Sequence, residues 1–150
     1  MLDSKCTKSD TEPMQNSFVI HTDGGARGNP GPAGIGVVIE KNGTIYAEFG
    51  EAIGETTNNV AEYTAVIKAL QYLQTKGDQV DHIEFILDSL LVVNQLMGKF
   101  KIKDAKLQTL AALVKSLEQI CCGKVIYTAV RREFNKRADF FVNQALDASL

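Results

Sequence analysis

The sequence of 150 residues contains no long apolar run, no tryptophan, two histidines and three cysteines. A membrane-spanning helix needs roughly 18 or more consecutive apolar residues, so no membrane span is expected. The first 17 residues also lack the apolar stretch of a signal peptide. Together these absences predict a soluble, cytoplasmic protein.

The three cysteines form no metal-binding pattern. Cys121 and Cys122 are adjacent, and none of the three lies in a spaced pair with histidines, which argues against zinc. We interpret them as reduced thiols with a structural role.

The chain has no excess of positive charge either, because 16 basic and 18 acidic residues give a net charge of −2. Binding of nucleic acid through overall charge normally leaves a basic footprint. One dense basic cluster is present, at Lys99, Lys101, Lys103 and Lys106. Two interpretations of it stay open: a solvated connection between helices, or a segment that contacts phosphates.

The length is that of one globular domain with a core of its own. Residues 1–16 are polar and show no periodicity, which predicts a flexible N-terminal tail followed by a single domain at 17–150. Three segments rich in β-branched and aromatic residues come next and predict three strands, at 18–24, 34–42 and 44–53. Asn42-Gly43 is a hairpin signal, whereas the glycine- and proline-rich stretch 25–34 predicts a loop.

The remainder of the domain alternates helical and extended patterns. Cap residues at 57–59 precede a helix that Gly77 can end. The later segments predict a strand at 82–88, helices at 89–98 and 103–120, a strand at 124–130 and a helix at 135–150. The order β-β-β-α-β-α-α-β-α favours an α/β fold in which helices pack on the faces of a mixed sheet.

Four acidic residues occupy suggestive positions: Asp23 and Asp88 end predicted strands, while Glu62 and Asp139 lie early in predicted helices. Each has an ordinary alternative, since Asp23 can form a turn, Asp88 can cap a helix, and Glu62 and Asp139 can complement helix dipoles. Both strand ends and both helices can nevertheless meet at one edge of the sheet. We therefore consider the four residues as one group.

Four clustered carboxylates repel one another, so at least one would take up a proton in the absence of cations. Hard divalent ions that prefer oxygen ligands remove this cost. Mg²⁺ is the expected ion, with Mn²⁺ as a substitute. Two such ions can activate a water and stabilise the leaving oxygen in phosphodiester cleavage.

Four segments carry a family resemblance: HTDGGARGNPGPAGIG, TTNNVAEYTAVIKAL, LDSLLVVNQLMGKFKIKDAK and NKRADFFVNQAL. In this order, each with its acidic residue, they resemble type 1 ribonucleases H over about residues 17–148. The resemblance implies a ribonuclease H-like fold, with a five-stranded mixed sheet of three antiparallel and two parallel strands and helices on both faces. It also implies an endonuclease that hydrolyses the RNA strand of RNA–DNA hybrids and leaves 5′-phosphate and 3′-hydroxyl ends.

The same resemblance assigns roles within the site. Asp23, Glu62, Asp88 and Asp139 would be the catalytic and metal-binding carboxylates, with two ions present when substrate is bound. Asp23 would lie between the ions, Asp88 would ligate metal, Glu62 would also accept a hydrogen bond from a 2′-hydroxyl, and Asp139 would hold the more loosely bound ion. The matching minor-groove contacts are Gly24, Asn29, Asn58 and Asn59, for which turn and cap chemistry is the alternative.

Three features depart from the family pattern. The loop before the last helix lacks the histidine that many members carry, and Glu133 is a candidate substitute. The long basic handle of some bacterial members is absent, which predicts weak and salt-sensitive hybrid binding. Phe140 and Phe141 are adjacent on the last helix and cannot both face the core, so self-association through them is an alternative to the expected monomer.

Three alternatives to the hydrolase stay open. An inactive nucleic-acid-binding module of the same fold is opposed by the complete set of four carboxylates. A related DNA nuclease or strand-transfer domain, as in integrases, transposases and resolvases, is opposed by the Asn58-Asn59-x-x-Glu62 block and the glycine-rich first loop. A detached domain of a reverse transcriptase is opposed by the N-terminal tail that starts at Met1.

Overall fold

The computed structural model describes residues 16–149. The tail predicted at residues 1–16 therefore lies outside the described residues, except for Asn16. The backbone N–H of Asn16 donates to Asp81 Oδ2 at 2.8 Å, which ties the start of the described chain to the fourth strand.

Five strands and four α-helices follow one another in the predicted order. The elements are β1 (Ser17–Ala26), β2 (Gly31–Lys41), β3 (Thr44–Thr56), α1 (Asn58–Lys76), β4 (Val80–Leu87), α2 (Leu90–Leu96), α3 (Ala105–Cys121), β5 (Cys122–Ala129) and α4 (Lys136–Ala148). A short 3₁₀ helix at Arg132–Phe134, which the sequence patterns did not predict, precedes α4.

The strands form one sheet in the order β3-β2-β1-β4-β5. β1–β2 and β2–β3 are antiparallel, whereas β1–β4 and β4–β5 are parallel. The predicted fold class, a five-stranded mixed sheet with three antiparallel and then two parallel strands, is confirmed.

The predicted loop at 25–34 was too long. Gly25 pairs with Gly34 and Ala26 with Ala33, and the N–H of Arg27 donates to the carbonyl of Pro32 at 2.8 Å. Residues 27–30 alone connect β1 to β2, through a cis Asn29–Pro30 peptide. The local loop preference of glycine and proline is outweighed here by strand pairing and by the packing of α4 against this part of the sheet.

The two faces of the sheet are covered differently. Alternate residues of β1 and β2, such as Ile20 and Val37, join α1 residues in one fully buried cluster. On the opposite face α4 lies over β2 and β3, where glycines at 34, 36 and 50 allow its backbone and side chains to approach closely. The sheet therefore has helices on both faces, and both α1 and α4 begin near the same end of β1.

α1 begins and ends where the sequence predicts. The Thr57 side chain accepts the N–H of Val60 as the N-cap, and Gly77 adopts a left-handed conformation (φ 74°) at the C-cap. Among residues 16–149, no helix is long and apolar enough to cross a membrane.

Cys121 ends α3 and Cys122 begins β5, and their sulfurs lie next to each other. The interpretation as reduced thiols stays a prediction for this pair. The two sulfurs meet where the backbone changes from helical to extended, which a count of cysteines does not reveal. Cys6 lies outside the described residues.

Candidate active site

One cleft of about 500 Å³ at the end of the sheet is bordered by all four candidate carboxylates. β1 and β4 are parallel, and His21 pairs with Ile86, so Asp23 lies level with Asp88. Asp88 directly follows β4, whereas Asp23 lies three residues before the end of β1 and not at its end as predicted. Glu62 enters the cleft from the beginning of α1, and Asp139 enters it from the first turn of α4. Leu87 points away into the core, as strand alternation predicts.

Three of the four carboxylates form a tight group. One oxygen from each of Asp23, Glu62 and Asp88 lies within 4.8 Å of the others. Asp23 is 8% exposed and Glu62 is 7% exposed. Within residues 16–149, the buried Oε1 atom of Glu62 has no hydrogen-bond partner. A buried carboxylate oxygen without a donor is costly unless a cation contacts it.

Burial and mutual repulsion raise the pKa of two members of this group. The pKa of Asp23 is raised to about 8 by burial, by the charges of Asp88 and Asp139, and by a side-chain contact with Asp139. The pKa of Glu62 is raised to about 9 by burial and by the charges of Asp23 and Asp88, against a smaller opposing effect of Arg132. The full set of negative charges therefore needs a cation, and this donor set of carboxylate oxygens suits a hard divalent ion.

Asp139 differs from the other three. It is half-buried, lies beside Asp23 and is not a member of the 4.8 Å group. The Asn143 side chain, one turn further along α4, donates through Nδ2 to the Asp139 carbonyl at 3.1 Å and to Asp139 Oδ2 at 3.4 Å. The orientation of Asp139 thus depends on polar contacts at the rim of the cleft.

Asn135 is a site residue that the sequence patterns missed. It is 1% exposed, and its Nδ2 donates to the carbonyl of Thr22 at 2.8 Å and to Asp88 Oδ2 at 3.4 Å. Its position just before α4 suggests a helix cap, yet its side chain makes no capping hydrogen bond. Asn135 instead joins the beginning of α4 to β1 and to Asp88.

The four predicted substrate contacts divide between two cavities. Gly24 and Asn58 border the carboxylate cleft, whereas Asn29 and Asn59 border a neighbouring cavity of about 460 Å³ together with Lys106. Turn and cap chemistry is also present, because Asn58 Oδ1 accepts the N–H of Ala26 at 2.8 Å and Asn29 Oδ1 accepts the N–H of Asn58 at 3.0 Å. A contact with substrate stays a prediction for all four.

Gly24 has a structural role as well. A Cβ at this position would overlap the backbone of Ala61 and lie 2.6 Å from the Glu62 nitrogen. Glycine therefore allows α1 to sit directly on β1, which places Glu62 beside Asp23.

The loop before α4 presents an arginine to the cleft. Arg132 borders the cavity, while Glu133 is not among the residues that line it and pairs with Arg131 at 3.3 Å on the surface. The sequence analysis considered Glu133 as a site residue and missed Arg132, although Arg131 and Arg132 directly precede Glu133 in the loop. On α4, Phe140 is 51% exposed and Phe141 packs against Gly36 and Gly50, as expected for adjacent helical residues.

The model of the reverse transcriptase-like family matches residues 21–145. The bifunctional protein Rv2228c of Mycobacterium tuberculosis is 40% identical over 133 residues, which are 87% of this chain and 36% of that protein. Ribonuclease HI of Halobacterium salinarum is 43% identical over 126 residues, which are 83% of this chain and 62% of that protein. The chain thus spans between about a third and two thirds of the length of these curated relatives.

The fold is also shared with solved structures. The structure of LC11-RNase H1 in complex with an RNA/DNA hybrid has a TM-score of 0.84 and 44% sequence identity to this chain. The match covers 88% of this chain and 98% of that one. The family match over most of the chain, the sheet order and this structural similarity together show that the chain belongs to the type 1 ribonuclease H family.

Proposed function

We propose that the chain is an endoribonuclease that hydrolyses the RNA strand of RNA–DNA hybrids and leaves 5′-phosphate and 3′-hydroxyl ends. The observation that carries this proposal is the group of three carboxylates whose oxygens lie within 4.8 Å of one another in an open cleft. The similarity to a ribonuclease H1 solved with an RNA/DNA hybrid supports the choice of substrate.

Asp23, Glu62, Asp88 and Asp139 are the proposed metal-binding and catalytic residues, and Mg²⁺ is the proposed ion, with Mn²⁺ as a substitute. The unpartnered Oε1 of Glu62 and the raised pKa values of Asp23 and Glu62 support a cation at this place. Two divalent ions, when bound with substrate, would supply an activated water and charge stabilisation for the leaving oxygen. No protein nucleophile is then required.

The remaining residues would bind and orient the hybrid. Glu62 can accept a hydrogen bond from a ribose 2′-hydroxyl, which distinguishes RNA from DNA. The Asn29 and Asn58 side-chain oxygens are engaged within the protein, so their Nδ2 groups are the atoms offered to the minor groove. Gly24 would contact the hybrid through its backbone, and Asn59 would contact it through its side-chain carboxamide.

Lys106 supports the phosphate-contacting interpretation of the basic cluster. It borders the same cavity as Asn29 and Asn59, next to the carboxylate cleft. The ammonium group of Lys106, beside the proposed minor-groove contacts, would contact a phosphate in the backbone of the hybrid. The cytoplasmic location stays a prediction from the sequence.

The test is a cleavage assay with labelled RNA–DNA hybrid, double-stranded RNA, single-stranded RNA and duplex DNA, each with Mg²⁺, Mn²⁺ or EDTA. We expect cleavage of the hybrid with a divalent ion and none with EDTA. Binding of the hybrid without cleavage by either metal would favour the inactive binding module. Equal cleavage of duplex DNA would favour the DNA nuclease.

A matched variant keeps the assay specific to the site. Asp23→Asn preserves shape and removes one charge, so it should still bind hybrid but lose about 100-fold or more in turnover. Retained turnover would remove Asp23 from the proposed metal site.

A further inference from the structure

A line of polar contacts runs from the β1–β2 turn to Asp139. Arg27 lies in this turn, and its Nη2 contacts Asp147 Oδ1 at 2.8 Å and Asn143 Oδ1 at 3.3 Å. Asn143 Nδ2 in turn contacts the carbonyl and Oδ2 of Asp139. Arg27, Asn143 and Asp139 all border the carboxylate cleft.

The chemistry of the Asn143 side chain determines which end of its carboxamide faces Arg27 and which end faces Asp139. A carboxamide has one acceptor end and one donor end, and a guanidinium can only donate. Because Arg27 donates to Oδ1, the NH₂ group of Asn143 must face the oxygens of Asp139. The reverse orientation would set two donors against each other at Arg27 and two acceptors against each other at Asp139.

The β1–β2 turn is also fixed on its other side. Asn58 at the beginning of α1 accepts the N–H of Ala26, and Asn29 accepts the N–H of Asn58. The turn thus bridges α1, which carries Glu62, and α4, which carries Asp139.

We infer that Asn143, oriented by Arg27, is a positioning residue for Asp139 and sets how tightly that carboxylate holds a divalent cation. This inference rests on the proposed metal-dependent function. The Asn143 side chain is exposed, and its hydrogen bonds within residues 16–149 are to Arg27 and Asp139, so its effect passes through Asp139. Partners that orient a metal ligand typically change metal affinity by about 10–100-fold when removed, and the exposure of this contact places the effect near the lower limit.

The test measures Mn²⁺ binding by calorimetry on the purified, metal-free chain. Asn143→Ala should weaken Mn²⁺ binding about five- to tenfold. Asn143→Asp should weaken it further, because it replaces the donor toward Asp139 by a negative charge. Arg27→Ala should act in the same direction with a smaller effect. The matched control is Gln144→Ala, the next residue on α4, which does not border the cleft and should leave Mn²⁺ binding unchanged.

A double-mutant cycle separates positioning from a general structural effect. In an Asp139→Asn background, Asn143→Ala should no longer change the residual Mn²⁺ affinity. An equal loss in both backgrounds, or no loss in either, would overturn the inference. Thermal unfolding of each variant within about 1 kcal/mol of the parent would establish that the helix is intact.

Hybrid cleavage supplies a second readout. Asn143→Ala should raise the Mg²⁺ concentration needed for half-maximal rate and leave the KM for hybrid unchanged, whereas a changed KM at saturating Mg²⁺ would count against positioning. If the parent chain did not cleave hybrid at all, the proposed function would fail. The Mn²⁺ cycle would still decide whether Asn143 acts through Asp139.

Discussion

The two helices that deliver carboxylates to the cleft, α1 and α4, are held in different ways. α1 has 19 residues, of which nine are buried, and Glu62 is one of the nine. α4 has 13 residues, and its buried residues are Ala138, Val142 and Leu146. Glu62 is therefore fixed by the core, whereas Asp139 is fixed by contacts at the surface.

Both helices nevertheless use glycine to approach the sheet. α1 lies on Gly24 of β1, and α4 lies on Gly36 of β2 and Gly50 of β3. Close approach of a helix to a strand backbone is thus common to both sides of the cleft. The two helices differ in what covers their outer faces. α1 is also packed against α3, whereas the outer face of α4 is open.

The largest expected difference between the α1 side and the α4 side of the cleft concerns the rate of hybrid cleavage. Glu62→Gln removes a charge from the tight carboxylate group and should lower hybrid cleavage by about 1,000-fold. Asp139→Asn alters the half-buried side of the cleft and should lower it by roughly 10- to 100-fold. Single-turnover rates at saturating Mg²⁺ would measure both variants. Equal losses would show that α4 holds its carboxylate as firmly as α1 does.

The contrast between α1 and α4 also indicates which features can be predicted from the sequence. Hydrophobic periodicity and caps are local signals, and they predicted the element order and the limits of α1 at Thr57 and Gly77. All four acidic positions were predicted, and the structure brings them to one cleft. Their catalytic roles stay predictions.

Other features depend on contacts between distant segments. The burial of Asn135 against β1, the reach of Arg132 into the cleft and the extension of β1 to Ala26 all require the packed sheet. No local pattern distinguishes the three clustered carboxylates from Asp139. That distinction arises from the difference in packing between α1 and α4.

The second prediction concerns stability and the glycine contacts. A Cβ at position 24 meets the backbone of α1, and a Cβ at position 36 meets the backbone of α4 at Ala138. Gly24→Ala should lower the free energy of unfolding by about 2–4 kcal/mol, because α1 is enclosed and cannot shift. Gly36→Ala should cost roughly half as much, because α4 can move outward.

Chemical denaturation would measure both variants, with Gly43→Ala as a control for a surface turn glycine that meets no neighbouring atoms. Gly43 has a positive φ, so alanine at this position should show only the cost of backbone strain, about 1 kcal/mol in the free energy of unfolding. If Gly36→Ala proved more costly than Gly24→Ala, α4 would be the more firmly held helix.

The third prediction concerns pH. The folded-state pKa values of Asp23 and Glu62, about 8 and about 9, lie above the ordinary values of these side chains. Protonation therefore favours the folded state, and this stabilisation is lost as pH rises through 8 and 9. Without metal, the Tm should fall between pH 7 and pH 9 by roughly 6–12 °C, which corresponds to about 3 kcal/mol for the two groups together.

Two comparisons identify the source of that fall. The pKa of His21 is lowered by burial, so His21 is neutral throughout this range and does not contribute. Glu62→Gln should reduce the fall in Tm, and Mg²⁺ should offset it in the parent chain. A Tm that is constant from pH 7 to pH 9 in EDTA would contradict the raised pKa values.

The smallest effect is expected on the open face of α4. Phe140 is 51% exposed, and it borders a shallow cavity together with Asn143, Gln144, Asp147 and Ala148. A stable interface buries roughly 1,200 Å² or more in total, which one half-exposed phenyl ring does not supply. We therefore expect a monomer whose mass by light scattering does not change with concentration. Phe140→Ser should leave the mass unchanged and lower the Tm only slightly, through the lost contact with the Phe141 ring.

Phe141→Ser provides the contrast on the same helix. Its side chain packs against Gly36 and Gly50, so its loss should loosen α4 and lower the Tm. A doubling of mass with concentration that Phe140→Ser abolished would instead identify the outer face of α4 as an interface. In that case the second copy would cover α4 as α3 covers α1, and Asp139 would be held in the dimer as firmly as Glu62 is held in the monomer.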